Sequence, residues 1–122
     1  MIESNQDKES RIIKRRIGEP VNFKYPPPEP QWRGKLKDRC VMPAPSWTGV
    51  PYWDVVDLIE FEGQGKKFEA IRFGYYRKSK GQLRWASQTT LTEPIETYKE
   101  LFKKAVKEMP WFKKFLEDVL KS

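Results

Sequence analysis

The sequence predicts an α+β protein in which an antiparallel β-meander of three to four strands precedes one long helix and a short C-terminal helix. Strand-like segments joined by short glycine-containing connections occupy the middle of the chain, as in an antiparallel meander. After Thr92 apolar residues recur at three- and four-residue spacing, which indicates an amphipathic helix. Pro110 interrupts that pattern, and a second apolar stripe follows it.

The amino-terminal third has a different composition, since eight of the ten prolines precede residue 52. Residues 25–32 must be extended, because each proline fixes its own φ and disfavours helix in its predecessor. This segment is either a stiff strap on its own domain or a polyproline ligand. Residues 1–10 are predicted to be disordered. Residues 11–17 could form a frayed helix or a strand, and serve either as a solvated tail or as a nucleic-acid arm. We therefore predict a flexible basic and proline-rich arm, residues 1–34, and a single α+β domain, residues 35–122.

Charge and cysteine content restrict the class of protein. The 122 residues carry a net charge of +7, and the excess in the arm and the central hairpin suits a polyanionic partner. A single cysteine allows no intrachain disulfide and favours a reducing compartment. Without an apolar leader or a long apolar run, we expect a soluble, cytoplasmic protein with no membrane contact.

Two strands are expected before the central hairpin. Lys35–Met42 forms the first, and Trp53–Glu62 mixes β-branched and aromatic residues in the second. On the second strand Val55, Ile59 and Phe61 favour one face. The sequence Gly63-Gln64-Gly65 then supplies a turn into the hairpin.

The central hairpin, Phe68–Leu91, contains two strand-like segments joined by Ser79-Lys80-Gly81. Ile71, Phe73 and Tyr75 make the core stripe of the first segment, because side chains alternate across a strand. The opposite, open face carries Arg72, Tyr76 and Lys78, with a bare patch at Gly74. A two- or four-residue loop would place Tyr76 opposite Trp85 on the open face. A three-residue loop would instead turn Trp85 into the core.

Thr92 is expected to be the N-cap of the long helix, which ends or bends at Pro110. Its apolar stripe and that of the following helix exceed what one small sheet can cover. The surplus is either core or an interface, and we expect a homodimer formed through the C-terminal helices. The two stripes are Ile95, Tyr98, Leu101, Phe102, Ala105, Val106 and Met109, and then Trp111, Phe112, Phe115, Leu116, Val119 and Leu120.

The hairpin carries the functional prediction. From Arg72 to Arg84 there are five basic residues and no acidic one, interleaved with aromatics that stack on unpaired bases. This pattern predicts non-catalytic binding of single-stranded nucleic acid, with DNA favoured and RNA not separated from it. A protein-interaction module that docks through the proline-rich strap or the apolar C-terminal helices is the alternative. The candidate binding residues are Arg72, Tyr76, Arg77, Lys78, Lys80, Arg84 and Trp85.

Enzymatic chemistry has little support in the sequence. Histidine is absent and Cys40 is the single cysteine, so we expect no metal site and no cofactor. The lesser alternative is a metal-dependent nuclease that uses Asp57 and Glu69, but Ile71 stands where a lysine partner is needed. Asp54 and Asp57 are read more simply as charges on the polar side of their strand.

Several short motifs between Phe68 and Lys104 resemble the Positive Cofactor Four family of single-strand DNA-binding transcription coactivators. The resemblance rests on Ile71-Arg72, Tyr75-Tyr76, Gly81-Gln82-Leu83, Thr90-Leu91-Thr92, and Tyr98 with Leu101. Gln88-Thr89 departs from the Lys-Gly pair expected before the helix. The resemblance implies a curved antiparallel sheet backed by a helix and dimerisation through helices and strand ends. It assigns phosphate contacts to Arg72, Lys78 and Arg84, and base stacking to Tyr76 and Trp85, with Lys80 guiding the strand.

Overall fold

A computed structural model describes residues 4–23, 32–44, 49–86 and 90–122. Within them the chain forms five strands and three helices, and the antiparallel sheet has the order β1-β2-β3-β4-β5. The elements are α1 (Asn5–Lys14), β1 (Pro20–Phe23), β2 (Trp32–Ala44), β3 (Tyr52–Gly63), β4 (Lys66–Ser79), β5 (Gln82–Trp85), α2 (Ile95–Glu108) and α3 (Pro110–Lys121). The predicted α+β class and antiparallel meander are confirmed. The described residues contain no helix with the length and apolar character that crossing a bilayer requires.

Two tight turns set the register of the sheet. Gln64-Gly65 joins β3 to β4, Lys80-Gly81 joins β4 to β5, and all four residues have positive φ. Two-residue turns of this kind match the twist of the strands that they connect. The second turn pairs Tyr76 with Trp85, so the two-residue alternative for the hairpin is the one observed.

The sheet has a core on each of its faces. On the α2–α3 face, Cys40 and Val56 of the sheet pack against the C-terminal helical region. The residues of that region in this cluster are Leu101, Ala105, Met109 and Phe112. On the opposite α1 face, Val41, Trp53, Val55 and Tyr76 pack against Ile13 of α1. A further cluster on the α1 face joins Leu36, Ile59 and Phe61, so the stripe predicted for β3 is confirmed. Helices therefore cover parts of both faces.

A β-bulge in β2 determines which polar residues enter these cores. The pairing with β3 shifts between Leu36 and Asp38, which leaves Lys37 as the extra residue. A bulge reverses the alternation of side chains that follow it. As a result, both Leu36 and Arg39 point to the α1 face, and Arg39 lies opposite Asp57.

The amino-terminal region corrects the predicted domain boundary. Inside the expected flexible arm, α1 packs on the sheet through Ile13, which is fully buried, and β1 pairs with β2. Ser4 caps α1, since its hydroxyl accepts a hydrogen bond from the Asp7 amide at 3.1 Å. The domain thus begins within residues 4–23, while most of the proline-rich segment, residues 24–31, lies outside the described residues.

The start of α2 also differs from the prediction. Pro94, not Thr92, holds the cap position, with φ −56° and ψ 150° and no side-chain capping bond. Pro94 has no backbone N–H to leave unsatisfied at the helix start, and its fixed φ suits this place. The predicted break at Pro110 is confirmed, because Met109 is extended and Pro110 opens α3.

Candidate nucleic-acid interface

The seven predicted binding residues all lie on the β4–β5 hairpin, but they are divided between its two faces. Arg77 and Arg84 lie on the α2–α3 face, while Lys80 occupies the turn. The other four, Arg72, Tyr76, Lys78 and Trp85, lie on the α1 face. β5 is the last strand of the sheet. The two groups therefore meet around one sheet edge.

Arg77 and Arg84 are directly opposite each other across the two strands, and both are exposed. Opposed residues in an antiparallel pair have Cβ atoms about 4.5–5.5 Å apart, where like charges repel. Arg84 donates a hydrogen bond to the Gln82 side chain at 3.3 Å. Within the described part of the chain, neither arginine has an acidic partner. This pair is a place where an added anion would be stabilising.

Tyr76 is not available as a stacking platform in this conformation. It is 4% exposed and lies beneath α1 in contact with the cluster around Ile13. Its hydroxyl accepts a hydrogen bond from Nη1 of Arg39 at 3.0 Å. The expectation that Tyr76 faces solvent is wrong. Tyr76 lies on the strand face that was predicted, but α1 covers that face.

Arg72 is held by a buried ionic network. Asp57, which is fully buried, accepts two hydrogen bonds from Arg39, at 2.6 and 2.9 Å. Arg72 donates two more to the same carboxylate, at 3.1 and 2.9 Å. Burial disfavours the charge of Arg39, but the bond and charge of Asp57 outweigh it and raise the pKa of Arg39. Two guanidinium groups therefore share one carboxylate, which leaves an excess positive charge in the network.

Trp85 fills the patch that the sequence suggested was bare. A Cβ at Gly74 would lie only 2.8 Å from Cζ2 of Trp85 and closer still to Cη2, so the indole ring rests on the glycine. The guanidinium of Arg72 is 4.3 Å from the indole centroid, within the range of a cation–π contact. Trp85 remains partly exposed at the sheet edge. Of the two predicted stacking residues, it is the one that solvent reaches.

The remaining cations of the hairpin differ in their accessibility. Lys78 forms an ion pair with Glu9 of α1 at 3.1 Å. Lys80 is exposed at the turn and has no acidic partner in the described ranges. The exposed cations are thus Arg77, Lys80 and Arg84, and Trp85 adjoins them on the other side of the edge.

The carboxylates of β3 and β4 do not form the nuclease arrangement. Asp57 is clamped between two arginines on the α1 face, and Glu69 is on the opposite face, paired with Lys37 at 2.8 Å. Asp54 and Asp57 are both fully buried, which corrects their assignment as charges on a polar strand side. Across the described residues, no three acidic or thiol side chains are grouped to hold a metal ion.

The sequence left a frayed helix open only for residues 11–17, so neither the start of α1 nor the network that it covers was predicted. The signal for the helix was present, because Ser4 precedes Asp7 at the spacing of a capping motif. For Arg39 no sequence signal existed, because the β2 bulge alone turns it toward Asp57. No protein-family model, curated protein or solved structure matches this chain.

Proposed function

We propose that this protein binds single-stranded nucleic acid, without chemical reaction, around the β4–β5 edge of its sheet. The observation that carries the proposal is the exposed pair Arg77 and Arg84, opposed across the strands without an ion pair to an acidic side chain among the described residues. Phosphates of a flexible strand relieve the repulsion between these two cations. Lys80 continues the positive path over the turn.

Trp85 is the stacking residue of this proposal. It lies next to Arg84 in β5 and on the opposite face, so a strand crossing the edge passes from cations to a ring. Stacking on an aromatic ring accepts any base, and binding with little sequence preference follows. Single-stranded DNA is the first ligand to test, and RNA of the same sequence is the second. A duplex, whose bases are already stacked, is expected to bind more weakly.

The test is a fluorescence-anisotropy titration of a labelled oligonucleotide, as a single strand and as a duplex, at low and at moderate salt. Wild-type protein is expected to prefer the single strand and to lose affinity as salt rises. The substitution Trp85→Ala should cost about 1–3 kcal/mol of single-strand affinity, with circular dichroism confirming the fold. Equal affinity of Trp85→Ala and wild type would remove stacking from the proposal. Failure of the wild type to bind either form would remove the function.

A second proposal concerns the outer side of the C-terminal helices, where a second copy of the chain is the expected occupant. A groove of about 510 Å³ there is lined by the apolar side chains of Ile95, Phe102, Val106 and Leu116. Ile95, Phe115, Val119 and Leu120 are 75, 41, 53 and 85% exposed. Such a concentration of exposed apolar side chains is typical of an interface.

Light scattering at micromolar concentration tests the homodimer. A dimer mass is expected, and a monomer mass would contradict it. If the protein is a monomer, the same apolar face would instead be a docking surface for a different protein, as in the protein-interaction alternative.

A further inference from the structure

The part of the sheet beneath α1 has the chemistry of a nucleic-acid platform. It presents the rings of Trp53 and Tyr76, and Tyr76 is in edge contact with Trp85 at a centroid distance of 5.1 Å. Arg39 and Lys78 lie beside these rings. Rings interleaved with cations are what unpaired bases and their phosphates require. This surface is continuous with the exposed edge through Trp85.

α1 meets this surface with the same kinds of group that a nucleic acid would use. The Glu9 carboxylate accepts a hydrogen bond from the Lys78 ammonium group at 3.1 Å, as a phosphate would. The carbonyl oxygen of Ile13 accepts from Nη1 of Arg39 at 3.1 Å. Just beyond the end of α1, the guanidinium of Arg16 lies 5.3 Å from the Tyr76 ring centroid, which is where a flat base would stack. Each of these contacts is one that a bound strand can replace.

The apolar attachment of α1 is small, and an ion pair between Lys14 and Glu108 of α2 at 3.1 Å supplements it. Among its described side chains only Ile13 is fully buried, and its neighbour Ile12 is 36% exposed. The indole of Trp53 adds a hydrogen bond to the carbonyl of Gln6 at 3.2 Å. A helix of this length is unstable away from the sheet, so α1 is suited to open as one local unit. Beyond it, Gly18 rejoins the sheet by donating to the carbonyl of Leu36 at 2.7 Å.

We propose that α1 is a displaceable strap that autoinhibits the protein. Single-stranded nucleic acid competes with α1 for the Trp53–Tyr76 surface and binds there when α1 leaves. The chain pivots between Lys14 and Gly18, while β1 stays paired with β2. This inference rests on the proposed function. It adds that the exposed edge makes the first contact and that full binding requires α1 to leave.

The test compares Ile13→Ala with Ile12→Ala in oligonucleotide titrations. The first substitution removes the buried anchor, and the second removes a similar side chain that is 36% exposed and does not belong to the buried cluster around Ile13. Because apparent affinity scales with the fraction of open molecules, Ile13→Ala should tighten Kd about tenfold. Ile12→Ala should leave Kd unchanged. Equal Kd values for Ile13→Ala and wild type, or weaker binding by Ile13→Ala, would overturn the strap.

Hydrogen exchange on the wild-type protein gives an independent readout that requires no substitution. Saturation with an oligothymidine should accelerate exchange of the α1 amides while the β3 and β4 amides remain protected. Unchanged or slower exchange in α1 would overturn the strap even if binding itself is observed. If Ile13→Ala fails to fold, Glu9→Gln, which releases Lys78, replaces it and should also accelerate exchange in α1.

Failure of the strap and failure of the function give different results. If the wild type binds and Arg77→Gln/Arg84→Gln weakens it, but α1 stays protected, the edge is the binding site and the strap is wrong. If neither the wild type nor Ile13→Ala binds any single strand, both proposals are wrong.

Discussion

The carboxyl group of Asp54 on β3 lies close to that of Glu93, in the segment that leads into α2, and among the described residues no hydrogen-bond donor reaches either oxygen of Asp54. Asp54 is fully buried, and burial together with Glu93 raises its pKa to about 9. Glu93 also accepts a hydrogen bond from the Tyr52 hydroxyl at 2.6 Å. At neutral pH Asp54 is therefore protonated, and its hydroxyl is available to donate to Glu93 at the start of α2.

This pair predicts that the protein loses stability as the pH rises. The folded-state pKa of Asp54 lies above its ordinary value of 3.8, so the native state binds more protons than the unfolded state between these values. The free energy of unfolding must then fall from about pH 4 through about pH 9. Asp54→Asn keeps a donor toward Glu93 at every pH and should flatten this dependence. Urea midpoints at pH 5, 7 and 9 measure it, with Glu62→Gln, an exposed change on the same strand, as the control. A dependence equally steep in Asp54→Asn would refute the assignment.

The buried ionic network of Arg39, Asp57 and Arg72 predicts that removing one charge from it destabilises the protein strongly. Asp57→Asn leaves the buried Arg39 without its counter-charge and should destabilise the protein by about 3–5 kcal/mol, as expected when one partner of a buried pair is lost. Glu69→Gln breaks an exposed pair with Lys37, and its cost should stay below about 1 kcal/mol. Urea unfolding compares the two. Similar losses for both variants would contradict the burial of the network.

The contact between Trp85 and Gly74 predicts a coupling between them. Gly74→Ala introduces a methyl group into the space of the indole ring and should cost about 1–3 kcal/mol. In a Trp85→Ala background the ring is absent and the same change should cost much less. A double-mutant cycle of unfolding free energies measures this difference. Additive effects would mean that the ring does not rest on Gly74.

The exposed C-terminal face predicts a separable effect on assembly. Leu120 is 85% exposed, so Leu120→Glu should leave the fold intact by circular dichroism while it shifts the mass in light scattering from dimer to monomer. Ser122→Glu adds the same charge two residues further on and should remain dimeric. A Leu120→Glu protein that is still a dimer would exclude this face as the interface.

Local patterns in the sequence predicted the meander, the faces of β3 and β4, and the break at Pro110. They succeeded because alternation along a strand and the geometry of proline are properties of the chain itself. They placed Arg72, Tyr76 and Lys78 together on one face, and the structure agrees. Whether that face is open is a different question, and strand alternation holds no information on it.

The features that the sequence did not predict depend on packing between residues that are far apart in the chain. α1 is mostly polar, and its place on the sheet comes from Ile13 and from contacts to residues far along the chain. Arg39 reaches Asp57 through a bulge, which no residue pattern in β2 announces. Asp54 looked like a surface charge because its partner, Glu93, is remote in sequence. The candidate residues therefore lie on one hairpin, as predicted, but the burial of Tyr76 beneath α1 was not predicted.

The salt dependence of single-strand binding tests the central claim most directly. For Arg77→Gln/Arg84→Gln, the slope of log K against log salt should be shallower than for wild type by about 1.4, since each lost phosphate contact on a single strand removes about 0.7. Lys66→Gln/Lys67→Gln makes the same charge change at the far end of β4 and should keep the wild-type slope. If the two double variants give the same slope, the Arg77–Arg84 edge does not bind phosphate.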